Sequence, residues 1–299
     1  MDEVIKNTDY DYLALKKAAR TLCAKYDFLI PKTIGKSVLG RDIISLQIGR
    51  EKEYVLLAAA FHGSEHITTN LLLKFTEELC CAFSNGSPLG GYNISRILSG
   101  RGVIILPLVN PDGAEISING PISAGNMKKT VEKLSRGDYP HWNANLRGVD
   151  INHNFDADWG SVKKREQAAG IWGPAPSKYG GERPFSEPET LALAKLCEAH
   201  NIRHALAFHS QGEVIFADSP VKIPRMDKIA QILSTSSGYC IAEPQGTAVG
   251  GGFKDWFIKR FERPAFTVEI GKGENPLPIE SIEKIYGELR EMLILSVAM

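Results

Sequence analysis

The stretch Tyr54-Val55-Leu56-Leu57-Ala58-Ala59-Ala60-Phe61-His62-Gly63-Ser64-Glu65-His66 leaves this chain few folds to choose from. Its apolar run is too short for a core helix and carries no charge after Glu53, so it reads as a strand buried on both faces. His62 stands where that strand ends. Gly63 offers a backbone free to turn, and Ser64 is placed to cap a helix that starts at Glu65 and runs through Leu79. An imidazole and a carboxylate three residues apart, at the carboxyl end of a buried strand, can converge on one point, and that point suits a zinc ion. His-x-x-Glu has only two fixed letters and recurs by chance, so by itself it decides nothing. A catalytic zinc takes three protein ligands and keeps one position open, so a third ligand has to come from elsewhere.

The 299 residues would allow two domains by length alone, but no repeat, low-complexity segment or linker divides them, and one domain over 1–299 is expected. With 43% hydrophobic and 23% charged residues, the chain has the make-up of a globular protein with ample core material. Its 35 basic and 35 acidic residues cancel, so no nucleic-acid or anionic-membrane partner is expected. No run approaches the ~20 apolar residues of a membrane span. Asp2, Glu3, Lys6, Asp9 and Asp11 interrupt the start, where no apolar signal segment is visible, and a cytoplasmic location is expected. Cys23, Cys80, Cys81, Cys197 and Cys240 are odd in number and lack zinc-finger spacing, which fits reduced thiols in a core. Nothing in the composition fixes an oligomeric state.

Along the chain, Leu13, Leu15, Ala18, Leu22 and Cys23 predict an amphipathic helix within 10–26. Apolar runs on either side of Gly35–Asp42 predict a hairpin, and Arg101–Val109 a second buried strand ending in the turn formers Asn110-Pro111-Asp112-Gly113. From Ile116 to Asn145 periodicity is weak, and the segment reads as a surface excursion around a short helix near Val131–Leu134. Ser186-Glu187-Pro188-Glu189 combines a capping residue, a first-turn proline and early acids, and starts a helix through Cys197. Strands follow at His204–Phe208 and Ala265–Ile270, and helices at 224–234, 254–260 and 279–297, with the glycine-rich run Gly246–Gly252 between them. This alternation predicts an α/β fold with a mixed, mostly parallel twisted sheet and helices on both faces. His62, Glu65, Asn110, His209 and Glu269 then all fall at strand ends, where open α/β sheets bind their ligands. His209 supplies a second imidazole.

His62-Gly63-Ser64-Glu65, Asn110-Pro111-Asp112-Gly113, Arg147-Gly148-Val149-Asp150-Ile151-Asn152-His153-Asn154-Phe155, His209-Ser210-Gln211-Gly212 and Phe266-Thr267-Val268-Glu269 resemble, in order and approximate spacing, the zinc carboxypeptidase family. The likeness runs from Gly35 to Glu269, and five motifs in order are far more specific than one. The resemblance implies one Zn2+ per chain, bound by His62, Glu65 and His209, with Glu269 as general base and Arg147 in the stretch that stabilises the oxyanion. Two imidazoles and one carboxylate leave the ion net positive, which suits lowering the pKa of water and polarising an amide carbonyl.

Two departures from the family bear on specificity. Its Asn-Arg pair, which clamps the substrate's C-terminal carboxylate, is here Asn152-His153, and histidine lacks the bidentate fork of arginine. The tyrosine that digestive members carry ahead of an Asp-Trp pair has no counterpart between Pro244 and Gly252, ahead of Asp255-Trp256. The Asn145–Asp150 context, the Gln-Gly after His209 and the Gly251–Phe257 segment look most like the bacterial γ-D-glutamyl-diamino acid peptidases, which act on murein peptides. The expected substrate is therefore a peptide or muropeptide. The alternatives are a carboxypeptidase or amidohydrolase on ordinary peptides or acyl amino acids, and a binding protein on the same fold. Asn110 and Asp112 are explained by turn chemistry or by support of a zinc-bound imidazole, Arg41 by surface charge or a substrate contact, and Glu187 and Glu189 as helix-start acids.

Overall fold

Leu56, Leu57 and Ala58 have no accessible surface, and burying each such leucine contributes roughly 1.5–3 kcal/mol. The strand they belong to sits inside an eight-stranded sheet in the computed structural model, which describes residues 3–49, 52–246 and 249–299. In chain order the elements are α1 (Tyr12–Lys25), β1 (Ile30–Lys36), β2 (Asp42–Ile48), β3 (Tyr54–Ala59), α2 (Ile67–Asn85), β4 (Pro88–Leu89), β5 (Tyr92–Asn93), α3 (Ile94–Leu98), β6 (Gly102–Leu106) and α4 (Pro111–Asn119). They continue with α5 (Lys128–Ser135), α6 (Trp159–Ala168), α7 (Pro188–Ala199), β7 (Ile202–His209), β8 (Val214–Phe216), α8 (Met226–Ser237), β9 (Cys240–Ala242), α9 (Phe253–Phe261), β10 (Ala265–Glu269) and α10 (Ile282–Ala298).

The sheet order is β1-β2-β6-β3-β7-β10-β8-β9. The four central strands run parallel, and antiparallel pairs flank them at β1–β2, β2–β6 and β10–β8. Helices pack on both faces, as the alternation of elements predicts. From β3 the chain moves to β6 on one side, then returns to β7 and β10 on the other. The carboxyl ends of β3 and β7 therefore flank the point where the connections diverge, where such sheets open a crevice. His204, near the start of β7, is buried and donates from Nε2 to the Ser296 carbonyl of α10 at 2.8 Å, fastening the last helix to the sheet.

The short helix expected near Val131–Leu134 is present as α5, but the segment 116–145 around it is more than a surface excursion. Asn110 caps α4 with its side chain, Pro111 occupies the first turn and Asp112 follows, so residues read as a turn begin a helix instead. Ile116, Ala124, Val131, Trp142, Ala144 and Leu146 form a second buried cluster beneath this wall. Ser64 does not cap a helix: Gly63–Glu65 forms a 3-10 turn, His66 precedes α2, and the Ser64 hydroxyl donates to Asn143 Oδ1. Glu187, not Ser186, precedes α7, and Pro88–Leu89 pairs with Tyr92–Asn93 in a separate two-stranded sheet. Residues 247 and 248 of the glycine-rich run lie outside the described residues. Among the described residues no helix is long and apolar enough to cross a membrane.

Candidate metal centre

Three strand ends deliver the site. β7 terminates in His209, and β10 terminates beside it in Glu269, with the two residues paired in register. β3 stops one step earlier, because Ala60 turns the chain with φ of 52°. That turn is tied down by Thr68 Oγ1, which accepts from Ala60 N at 2.9 Å, and by the Ala60 carbonyl, which accepts from Asn110 N at 3.0 Å. Gly63 is required by space rather than by a left-handed backbone: a β-carbon there would collide with the carbonyl oxygens of Gly113 and Trp142. Asn110 donates to the carbonyls of Phe61, Asn143 and Ala144, so it braces the backbone beside His62 and touches no imidazole.

His62 Nδ1 lies 2.8 Å from Glu65 Oε1, His209 Nδ1 lies 2.9 Å from Glu65 Oε2, and the two Nδ1 atoms lie 3.3 Å apart. The donor atoms of these three residues all fall within 4.8 Å of one another. Both rings turn the same atom toward one carboxylate, and two protonated Nδ1 atoms so close would repel. One cation shared by the three side chains would take a lone pair from each, and neutral imidazoles with a carboxylate are the donors zinc takes. The residues present thus fit the ion that the resemblance implies.

Sequence reasoning missed Asp150 as a member of this group. Its Oδ1 lies 3.1 Å from His62 Nε2, while the backbone N–H of Lys178 donates to Oδ2 at 2.9 Å and that of Asn152 to Oδ1 at 3.1 Å. A carboxylate on the far nitrogen fixes the tautomer that leaves Nδ1 free for a metal. The only hint in the sequence is that Asp150 lies in the motif around Asn152. Asn143 was missed as well; its carbonyl accepts from Gly63 N at 3.2 Å and its side chain accepts from Ser64.

Charge follows this geometry. Burial would raise the Glu65 carboxyl, but the His62 and His209 imidazoles hold it down at about 2. Burial opposes protonation of His62, yet Glu65 and Asp150 together raise its pKa well above the usual imidazole value. Glu269 is pushed up to about 8, first by burial and then by the charge of Glu65. Burial and like charge raising a carboxylate at a strand end mark a group that can hold and pass a proton.

The remaining expected residues are placed less uniformly. Asn152 Oδ1 accepts from Phe253 N at 3.0 Å, at the start of α9. His153 is buried, and its Nδ1 sits 3.2 Å from Glu166 Oε1 and 3.1 Å from the Lys178 carbonyl. Arg147 is exposed, with its guanidinium 3.5 Å from Glu187, and no described bond joins it to the three ligands or to Asp150. Arg41 bonds Asp112 at 2.7 Å and the Ser123 carbonyl at 2.9 Å, which makes it a bolt under the site wall. Glu187 and Glu189 both accept from Asn145, and burial first, then the charge of Asp112, raises Glu189 to about 7.

A family model described as zinc carboxypeptidase matches residues 16–292. The gamma-D-glutamyl-L-diamino acid endopeptidase 1 of Lysinibacillus sphaericus is 35% identical over 284 residues, 94% of this chain and 70% of that protein. The uncharacterized protein YqgT of Bacillus subtilis (strain 168) is 33% identical over 282 residues, 93% of this chain and 74% of its own length. Among solved structures, bovine thrombin-activatable fibrinolysis inhibitor superposes with a TM-score of 0.74 at 18% identity, covering 98% of this chain and 97% of that one. Carboxypeptidase A from Helicoverpa armigera gives the same TM-score and identity, with 98% of this chain and 74% of that one covered. At such identities the likeness is one of fold. A match running from the first helix into the last, over side chains already gathered for one ion, means that the chain belongs to the zinc carboxypeptidase family and is a metallopeptidase.

Proposed function

We propose that this metallopeptidase hydrolyses the bond between a γ-D-glutamyl residue and an L-diamino acid in murein peptides, using one zinc ion per chain. The supporting observation is His153. Where family members place a carboxylate-clamping arginine, this chain has a buried imidazole whose Nδ1 is already engaged by Glu166 and the Lys178 carbonyl. A planar fork for a C-terminal α-carboxylate is missing there, which favours cleavage that needs no bidentate clamp on that group. The relative from Lysinibacillus sphaericus carries the corresponding name and covers nearly the whole chain.

His62, Glu65 and His209 would hold the ion, and Asp150 would keep His62 oriented. Bound zinc supplies Lewis acidity, which lowers the pKa of water and polarises the amide carbonyl. Glu269 takes the proton from water and returns it to the leaving nitrogen. Its raised pKa arises first from burial and then from the charge of Glu65, so a cation held by Glu65 would lower it toward the ordinary carboxylate range. Asn152, with its Oδ1 fixed by Phe253 N, keeps its amide N–H groups for the substrate. Arg147, exposed and 3.5 Å from Glu187, would be the cation for the developing oxyanion.

Glu269→Gln preserves shape but accepts no proton. On γ-D-glutamyl-diaminopimelate or γ-D-glutamyl-lysine peptides it should lower kcat by ~10²- to 10⁴-fold with zinc content unchanged. Near-normal turnover in that variant would place the base elsewhere, and wild-type protein that cuts only ordinary C-terminal residues would replace the murein substrate.

A further inference from the structure

Seven described residues other than glycine hold a positive φ: Ala60, Arg136, Lys178, Phe185, Glu213, Arg225 and Glu262. A side chain in that region crowds its own backbone, a penalty that glycine escapes, so each needs something that holds it. Arg136 and Glu262 end α5 and α9, and Arg225 precedes α8. Ala60 carries the smallest side chain and is tied to Thr68. Phe185 packs edge-on against Phe155 and Trp256, and Glu213 pairs with Lys272 at 2.5 Å. Lys178 differs from all six. It borders no helix and packs against no ring; its φ is 66°, its side chain is exposed, and its ammonium, like the guanidinium groups of Arg136 and Arg225, has no partner among the described residues.

What holds Lys178 is the metal site itself. Its N–H donates to Asp150 Oδ2 at 2.9 Å, its carbonyl lies 3.1 Å from His153 Nδ1, and Asp150 Oδ1 lies 3.1 Å from His62 Nε2. The backbone of Lys178 is thus two hydrogen bonds from a metal ligand, and glycine at this position would make the same bonds without the crowding. Two neighbouring cations are engaged: Lys163 by Glu166 at 2.7 Å, and Arg147 by Glu187. Glu65, Asp150, Glu166 and Glu269 crowd the same region with carboxyl groups, so an anionic substrate group needs a cation that is still available.

We propose that Lys178 is a specificity-determining residue that binds a carboxylate carried by the substrate next to the scissile amide. This rests on the peptidase function proposed above. A γ-linked glutamyl residue leaves its α-carboxylate free on the acyl side, and a diamino acid brings its own on the leaving side. Either presents the same chemistry to an ammonium.

The test compares kcat/KM for γ-D-glutamyl-lysine with that for its two mono-amides, each blocked at one carboxylate, in wild-type, Lys178→Gly and Lys178→Arg protein. Wild type should prefer the free acid over one mono-amide by about tenfold or more, as expected for a charged hydrogen bond, and that mono-amide names the carboxylate. Lys178→Gly should bring the preference to about one with thermal stability equal or higher, whereas Lys178→Arg should retain it. Calorimetric binding of the same three peptides to metal-free protein should show the same pattern whether or not the bond is cut. Equal use of all three peptides by wild type, or an undiminished preference in Lys178→Gly, overturns the role of Lys178 and leaves the peptidase function standing. If zinc-loaded wild type cuts none of them, the proposed function fails, and a calorimetric preference that survives Lys178→Gly overturns this role too.

Discussion

His62 and His209 present the same atom to the same point, yet the protein fixes them by unlike means. His209 is the last residue of a central parallel strand, its backbone is set by the ladder to β10, and its ring stacks on Phe61 at 5.0 Å with 22° between planes. Its Nε2 is buried without a hydrogen-bond partner among the described residues. His62 stands beyond the ladder, after the left-handed step at Ala60, and its ring is held through Nε2 by Asp150. A ligand on a regular element can be oriented by backbone and packing alone. One that has left its element requires a polar partner, and that partner in turn requires a loop to hold it.

The largest effect expected of this comparison is common to both sides. His62→Ala and His209→Ala should each abolish stoichiometric zinc while the protein stays folded, as read by metal analysis and circular dichroism; full zinc in folded His209→Ala would overturn the ligand set. The two sides should then separate. Asp150→Ala should weaken zinc binding by about 10- to 100-fold, the usual range for losing a partner of a ligating histidine. Phe61→Leu, a smaller change on the other side, should weaken it by less than about tenfold while lowering stability by ~1 kcal/mol. Equal losses in zinc affinity would erase the distinction between polar and packing support.

The same division explains what could be read from sequence. His62, Glu65, His209 and Glu269 announce themselves because strand ends follow from local apolar runs, and polar residues at strand ends in an α/β sheet have one common destination. The loop-borne partners do not. Asp150 reaches His62 only after 143–180 has folded around it, and no local pattern encodes that approach. Asn110-Pro111-Asp112 satisfies the rules for a turn and for a helix start equally, and only the buried cluster under Ile116 and Trp142 decides between them. The helix α6 escaped because Lys163, Lys164 and Arg165 interrupt its apolar side, where Val162 and Glu166 are the buried positions. Strands β8 and β9 have three residues each, too few for a period to show.

The bond between His204 and the Ser296 carbonyl gives the molecule an acid-sensitive latch. Burial pushes the His204 imidazole down to about 4, against about 6.5 in an unfolded chain, so the fold holds it neutral. The stabilisation from this neutral histidine is fully present above pH 6.5 and is lost as pH falls toward 4, because only the unfolded chain takes up the proton in that window. Acidification therefore works at the seam between β7 and α10, loosening the chain's last helix from the strand that carries His209. His204→Gln, which can still donate to Ser296 but does not titrate, should give a shallower decline of melting temperature between pH 6.5 and 4 than wild type. An equally steep decline would place the acid sensitivity elsewhere in the fold.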